Sequence, residues 1–397
     1  MSQLNVNTIT NLDETGGPVI VGVTTVSGNF NVTGASTISG LTYPTAGALS
    51  NRNKIINGDM RIDQRNAGAS VTINTSAKTY TVDRWHANGQ TSDGVFTVQQ
   101  STTAPTGFTN SLLATVTTAD ASIGVDQYYL LCQRIEGYNV ADLGFGSAAA
   151  KTVTLSFWVR SSLTGTFSGA LENSAENRSY PFTYSISSAD TWEQKTITIA
   201  GDTSGTWLTD NGIGLFVWFD LGCGSNKRGT AGAWTGSNLY GATGAVQLIA
   251  TNGATFYITG VQLEAGSVAT PFERRSYGQE LALCQRYYYR ATSNGAASDL
   301  SGIGSAATTT VARIQTMFPV EMRVPPTSVE QTGTAADYTV RTLNTPVTCS
   351  AVPSFWNATT QNATTNLTVA SGLVAGNGCT TRTGTSGSAF LGWSAEL

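Results

Sequence analysis

The chain has 397 residues, more than one ordinary domain needs and enough for two or three. Only 12% of them are charged, but 40% are apolar, with 8 Trp, 14 Tyr and 14 Phe, so large cores are available and a wholly disordered chain is excluded. A net charge of −4 without a Lys/Arg cluster excludes a nucleic-acid stripe, and no apolar run reaches the length of a membrane span.

The N-terminus, Met1-Ser-Gln-Leu-Asn-Val6, lacks the basic and apolar regions of a secretory signal. Between residues 22 and 40 glycine returns every six residues, at Gly22, Gly28, Gly34 and Gly40, and three frames close on Val26, Val32 and Ile38. So short a repeat exposes both edges when alone and gains a core only by stacking or by winding around sister chains. Residues 1–50 are therefore expected to contain an obligately oligomeric segment, most simply a three-stranded β shaft; the alternative is a flexible Gly/Thr/Ser-rich arm.

From residue 51 short alternating runs recur between Gly/Ser/Asn/Thr turns, the pattern of an all-β chain. In Lys151–Arg160, Val153, Leu155, Phe157 and Val159 face one way, with Ser156, Trp158 and Arg160 opposite. In Gly214–Leu221, Leu215, Val217 and Phe219 oppose Phe216, Trp218 and Asp220, and Thr255–Glu264 closes the series. This spacing suits a central β-sandwich over residues 51–275.

Residues 276–290 are the best helix candidate: Ser276 with Gln279 matches a capping box, and Tyr277, Leu281, Cys284 and Tyr288 fall on one face. Residues 291–397 return to β. Phe318, Val320, Met322 and Val324 alternate before Pro325-Pro326, and Pro319 points to an edge strand. The apolar end, Phe390–Leu397, is expected to be tied into a sheet.

The five cysteines (Cys132, Cys223, Cys284, Cys349 and Cys379) are odd in number and widely spaced, and read as free buried thiols. The one histidine, His86, reads as structural, and neither a zinc site nor a phosphate loop is expected. Carboxylates alone can serve a glycosidase, with Asp83, Asp126, Glu136, Asp210 and Asp220 available, but sequence spacing cannot place two of them across a glycosidic bond, and no catalytic motif is visible. Saccharide binding asks for a planar aromatic with amides or charges beside it. Trp158, Arg160, Trp218 and Asp220 have the right types and could share a concave face; the alternative is that both Trp belong to a second core face or a trimer interface. Trp234 and Tyr240, and Trp356 with Asn357, are loop alternatives, Trp234 being either exposed or a core anchor. Catalytic, metal and cofactor sites are expected to be none.

Two stretches carry a family resemblance. Asn53–Arg65 followed by Tyr80–Trp85 resembles the opening of a domain common in tailed-phage fibre proteins, and Tyr257–Glu273 resembles its close. Arg275–Tyr288, Phe318–Pro326 and Leu391–Leu397 are similar to the segments that follow, down to tail-fibre C-termini of marine phages. The resemblance implies a jelly roll similar to carbohydrate-binding modules, a homotrimer, and a place on the virion tail. The expected architecture is all-β: N-terminal shaft, central jelly roll, short helical connector and C-terminal β-sandwich tip. The expected function is non-catalytic, multivalent attachment to host surface polysaccharide or lipopolysaccharide, with a tail or adaptor protein at the N-terminus and no nucleic-acid or membrane partner. The alternatives are a polysaccharide depolymerase, a purely structural connector, and a cellular lectin, against which the missing signal sequence argues. A calcium ion between Asp59 and Glu264 is conceivable from the resemblance but is not expected from the sequence. Assembly is expected in the host cytoplasm, which agrees with the missing export signal.

Overall fold

The structure, a computed structural model, describes residues 37–38, 41–42, 50–89, 93–293, 295–343, 345–384 and 387–397. β1 (Thr37–Ile38) pairs antiparallel with β2 (Leu41–Thr42). The remainder of the glycine hexads, and with it the expected shaft, lies outside the described residues.

Two six-stranded antiparallel sheets follow. β3 (Val71–Ile73), β4 (Thr79–Tyr80), β5 (Trp85–Gly89), β6 (Val95–Ser101), β7 (Ser111–Thr118) and β8 (Tyr128–Glu136) come first. β9 (Val153–Ser161), β10 (Gly165–Glu172), β11 (Ser179–Ile186), β12 (Glu193–Ile199) and β13 (Ile213–Cys223) continue the series. A short parallel pair, β14 (Arg228–Gly229) with β15 (Gly241–Ala242), precedes β16 (Thr255–Ala265). One sheet runs β12-β9-β16-β7-β6-β3 and the other β11-β10-β13-β8-β5-β4, the chain crossing repeatedly between them as in a jelly roll.

The alternation read from the sequence is the reason for the core. Val153, Leu155, Phe157 and Val159 meet Leu215, Val217 and Phe219 between the sheets, with Phe157 and Phe219 5.2 Å apart. Each such buried side chain contributes about 1.5–3 kcal/mol.

The opening and closing motifs lie against each other. Asn53 Oδ1 accepts from the amides of Ile55 (3.0 Å) and Leu263 (3.1 Å), and its Nδ2 donates to the Val261 carbonyl (3.1 Å). A Cβ on Gly58 would stand 2.2 Å from that same carbonyl oxygen, so only glycine fits there. The two motifs are distant in sequence and form one clasp.

The helix α1 (Tyr277–Gln285) has the capping box, with Ser276 and Gln279 satisfying each other's backbone. It is shorter than the 276–290 expected. Tyr288 opens β17 (Tyr288–Thr292), and Tyr277 is 57% exposed, so the expected four-residue face does not form. The reason lies across the chain: Arg286 grips Glu136 (2.6 and 2.9 Å) and the Tyr287 hydroxyl donates to it (2.5 Å), which pulls the chain out of the helix. Cys284 and Tyr287 pack with Ile56 and Ile62.

The C-terminal region has its own core. β18 (Asp299–Ala306), β19 (Val311–Met317), β20 (Tyr338–Arg341), β21 (Pro346–Thr348), β22 (Ser354–Ala358), β23 (Asn362–Thr368) and β24 (Gly378–Thr383) form one sheet ordered β21-β20-β24-β18-β19-β23-β22. Its inner face packs Ile314, Leu367, Tyr338 and Val340 with Leu391 and Trp393 of the ribbon that β17 makes with β25 (Phe390–Ser394). The strand expected over 318–324 is absent. β19 ends at Met317, just before Pro319, whose ring nitrogen cannot donate to a ladder, while Phe318 and Met322 are buried from a loop.

The last residues join the two cores. Glu396 pairs with the buried Arg84, Arg134 donates to the Leu397 carbonyl (2.7 Å), and Arg323 donates to the carbonyls of Asn211, Ala395 and Glu396 (2.8, 2.8 and 2.7 Å). All five cysteines are free and buried, and burial pushes each thiol above its ordinary pKa. Among the described residues no helix is long and apolar enough to cross a membrane.

Candidate ligand-binding site

The aromatics singled out in the sequence have three different fates. Trp158 and Arg160 stand on the outward face of β9; Trp218 and Asp220 stand on the outward face of β13, in the other sheet. They do not share a concave face. Both strands turn their apolar residues inward, so their outward residues point away from each other across the sandwich. Arg160 pairs with Asp190 (3.2 Å) and lies 5.2 Å from the Tyr257 ring centre.

Trp218 is only 3% exposed. Tyr240, brought in by the 224–246 loop, covers it with ring centres 4.9 Å apart, while Phe216 stacks beside it and His86 meets it edge-on. Its Nε1–H donates to Glu172 Oε2 (2.8 Å). Burial pushes the Glu172 carboxyl up to about 8, the Trp218 bond opposing. Asp220 accepts from Ser168 and Arg228 (both 2.8 Å), and burial raises its pKa against the pull of Arg228. His86 is fully buried and held neutral, first by desolvation and then by Arg134, Lys78 and Arg84. This outward face is thus a second, polar-laced core.

Trp234 is an anchor. It packs into Phe145, Trp207 and Tyr180 at 5.3–5.8 Å and donates to the Ala200 carbonyl (2.7 Å). Together Trp234 and Tyr240 pin the loop over Trp218.

Trp356 and Asn357 are exposed, Trp356 at 50%. They lie on β22, the edge strand of the C-terminal sheet. Phe355 pairs with Thr365 and Asn357 with Thr364, so Trp356 is the extra residue of a bulge. In a regular strand Trp356 and Asn357 would point to opposite faces. Here the ring of Trp356 reaches Arg313 on β19, whose guanidinium carbon lies 3.9 Å from the ring centre. Arg313, Gln315 and Met317 alternate with the buried Ala312, Ile314 and Thr316, so they stand on the open face of the sheet. Register carries the rows across: Arg313 lies beside Asn366, and Gln315 beside Thr364, which lies beside Asn357. The arrangement is a half-exposed indole backed by a guanidinium and bordered by amides and hydroxyls, the groups that stack on a sugar ring and bond its hydroxyls.

Arg313 was not singled out in the sequence. Its strand, Val311–Met317, alternates legibly, but nothing local says that it lies near Trp356.

The carboxylates considered for catalysis are engaged one by one. Asp83 accepts from Gln64 at its backbone (2.9 Å) and side chain (2.5 Å), and burial lifts its pKa to about 6. Glu136 is held by Arg286 and Tyr287, Asp126 by Asn226 (3.0 Å), and Asp210 accepts from the Gly212 amide (2.8 Å). Asp59 and Glu264 enter separate networks, Asp59 with Arg61 (2.5 Å) and Glu264 with Gln262, Thr270 and Arg52. Among the described residues no group of three or more His, Cys, Asp or Glu is placed to hold a metal ion.

No family model matches the chain, and no curated protein matches it. Solved structures do. The enzymatically active domain of bacteriophage CBA120 tailspike protein 4 is 15% identical over 56% of this chain, with a TM-score of 0.29; the match spans 24% of that domain's length. The family 11 carbohydrate-binding module of a Clostridium thermocellum cellulase is 13% identical, covers 49% of this chain and 97% of its own, and has a TM-score of 0.25. The CBM22-1 xylan-binding domain from Paenibacillus barcinonensis is 10% identical, covering 52% and 99%, with a TM-score of 0.26.

Proposed function

We propose that the chain is a bacteriophage tail fibre protein that attaches to host surface polysaccharide or lipopolysaccharide by non-catalytic binding. In this reading residues 1–50 join the tail and form a trimeric shaft, 51–275 are a rigid scaffold, 276–290 connect, and 291–397 are the host-facing tip. One observation carries the reading: of the aromatics considered, Trp356 alone is half exposed, and the bulge in β22 sets it beside Asn357 and against Arg313. A planar ring fixed on one face and open on the other is a platform for the apolar face of a sugar. The Trp218 surface, capped by Tyr240, fits a structural role better.

A single platform binds weakly, and three per fibre raise avidity without new contacts. Sedimentation of the intact protein should give three copies; a monomer with an ordered N-terminal segment would remove the shaft. The binding test is a pull-down of the purified chain on immobilised bacterial polysaccharides and lipopolysaccharides, with reducing sugar assayed in the supernatant. Retention without released sugar is expected. Released sugar would make the chain a depolymerase, and no retention on any host envelope would make it a connector.

A further inference from the structure

Charge on the strands around Trp356 is one-sided; Glu321 accepts from Thr360 (2.9 Å) at the turn between β22 and β23. The three strands that build its surroundings, Val311–Met317, Asn362–Thr368 and Ser354–Ala358, contain a single charged residue, Arg313. On the neighbouring strand β18, Asp299 is already paired with Arg382 (3.6 Å). Arg313 is exposed, and among the described residues its guanidinium has neither a hydrogen-bond acceptor nor an ion-pair partner. Its one partner is the Trp356 ring.

Stacking uses the flat face of a guanidinium and leaves its N–H groups on the rim, where up to five donors project in a rigid fork. With its carbon 3.9 Å from the ring centre, the guanidinium meets the indole without consuming a donor. Beside it, on the paired strand, Asn366 holds a buried Oδ1 with no partner, and Gln315 and Thr364 add polar groups one row away. A neutral sugar offers the fork single hydroxyl oxygens and leaves its charge uncompensated. A bidentate fork matches the two oxygens of a carboxylate or a phosphate.

We infer that the Trp356 platform selects anionic saccharides, with the sugar ring on the indole and a carboxylate or phosphate on the Arg313 fork. The inference rests on the proposed reading of Trp356 as a saccharide platform, and its test separates the two. The intact chain is titrated with polygalacturonate and its methyl ester, with lipopolysaccharide and its phosphatase-treated form, and with neutral dextran. Arg313→Gln, Arg313→Lys and Trp356→Ala are run beside it, with melting temperature as the folding control.

The wild type is expected to bind the charged member of at least one pair about ten- to a hundredfold better than its neutral counterpart. The pair that shows the difference assigns carboxylate or phosphate. Arg313→Gln should abolish that preference at unchanged melting temperature, and Arg313→Lys should restore it only in part, because an ammonium keeps the charge and loses the fork. The preference should also shrink as salt is raised. Equal binding of charged and neutral members, unaffected by Arg313→Gln but lost in Trp356→Ala, would overturn the anion selectivity and leave the platform standing. Absence of binding to every saccharide would overturn both.

Discussion

Trp218 and Trp356 are the same side chain on the outward face of a sheet, and the fold treats them oppositely. The first is roofed by Tyr240 on a loop that Trp234 pins down, and its nitrogen is spent on a buried Glu172. The second has a guanidinium behind it and solvent in front. Residue type is alike at the two places, though Trp218 sits in regular register and Trp356 is the extra residue of a bulge. A long loop returns over the sheet at Trp218 and none covers Trp356, which decides between a core and an exposed surface.

The sharpest way to break the comparison is the same truncation at both sites. Trp218→Ala should destabilise the protein by about 3–5 kcal/mol in denaturant titration, through the lost ring and the unpaired Glu172. An effect below about 1 kcal/mol would mean that the loop is no true cover. Next in size is the junction between the two cores. Glu396→Ala strips the partner from Arg84, which is 1% exposed, and should cost about 3 kcal/mol. It also warns that deleting the whole C-terminal region would injure the sandwich, so point substitutions are the cleaner probes of binding.

A pH series separates the two faces further. Burial raises the Glu172 pKa from its ordinary 4.5 to about 8, so its neutral form is the stabilising one. That contribution is complete below about pH 4.5 and is lost as pH rises through about 8. Asp83, raised to about 6, acts in the same direction at lower pH. Relative to the wild type, Glu172→Gln should flatten the fall in melting temperature between pH 6 and pH 9; an unchanged slope would refute the burial argument. The smallest effect is expected at the thiols. Because all five are buried with raised pKa values, they should react with a thiol reagent only in denaturant, and reducing and non-reducing gels should match.

Much of the sandwich was legible because strands have a period of two: the inward sets of β9 and β13 are the ones the alternation names. Period two says which residues of a strand share a face; it does not say which sheet the strand joins. That is why Trp158 and Trp218 could be imagined together and are found apart. The helix start was legible in Ser276 and Gln279, but its end was set by a carboxylate 150 residues away, Glu136, to which no local pattern points. At the site, Trp356 and Asn357 were visible as types. The bulge that turns both outward and the two register steps that deliver Arg313 are properties of pairing, and they exist only once the sheet is built.

The most direct test measures retention of the intact protein on host envelope polysaccharide for Trp356→Ala and Trp158→Ala side by side, each checked by its melting temperature. Trp356→Ala should keep its stability within about 0.5 kcal/mol, as exposed positions do, and lose binding, while Trp158→Ala keeps binding. A folded Trp356→Ala that binds as the wild type does would contradict the account.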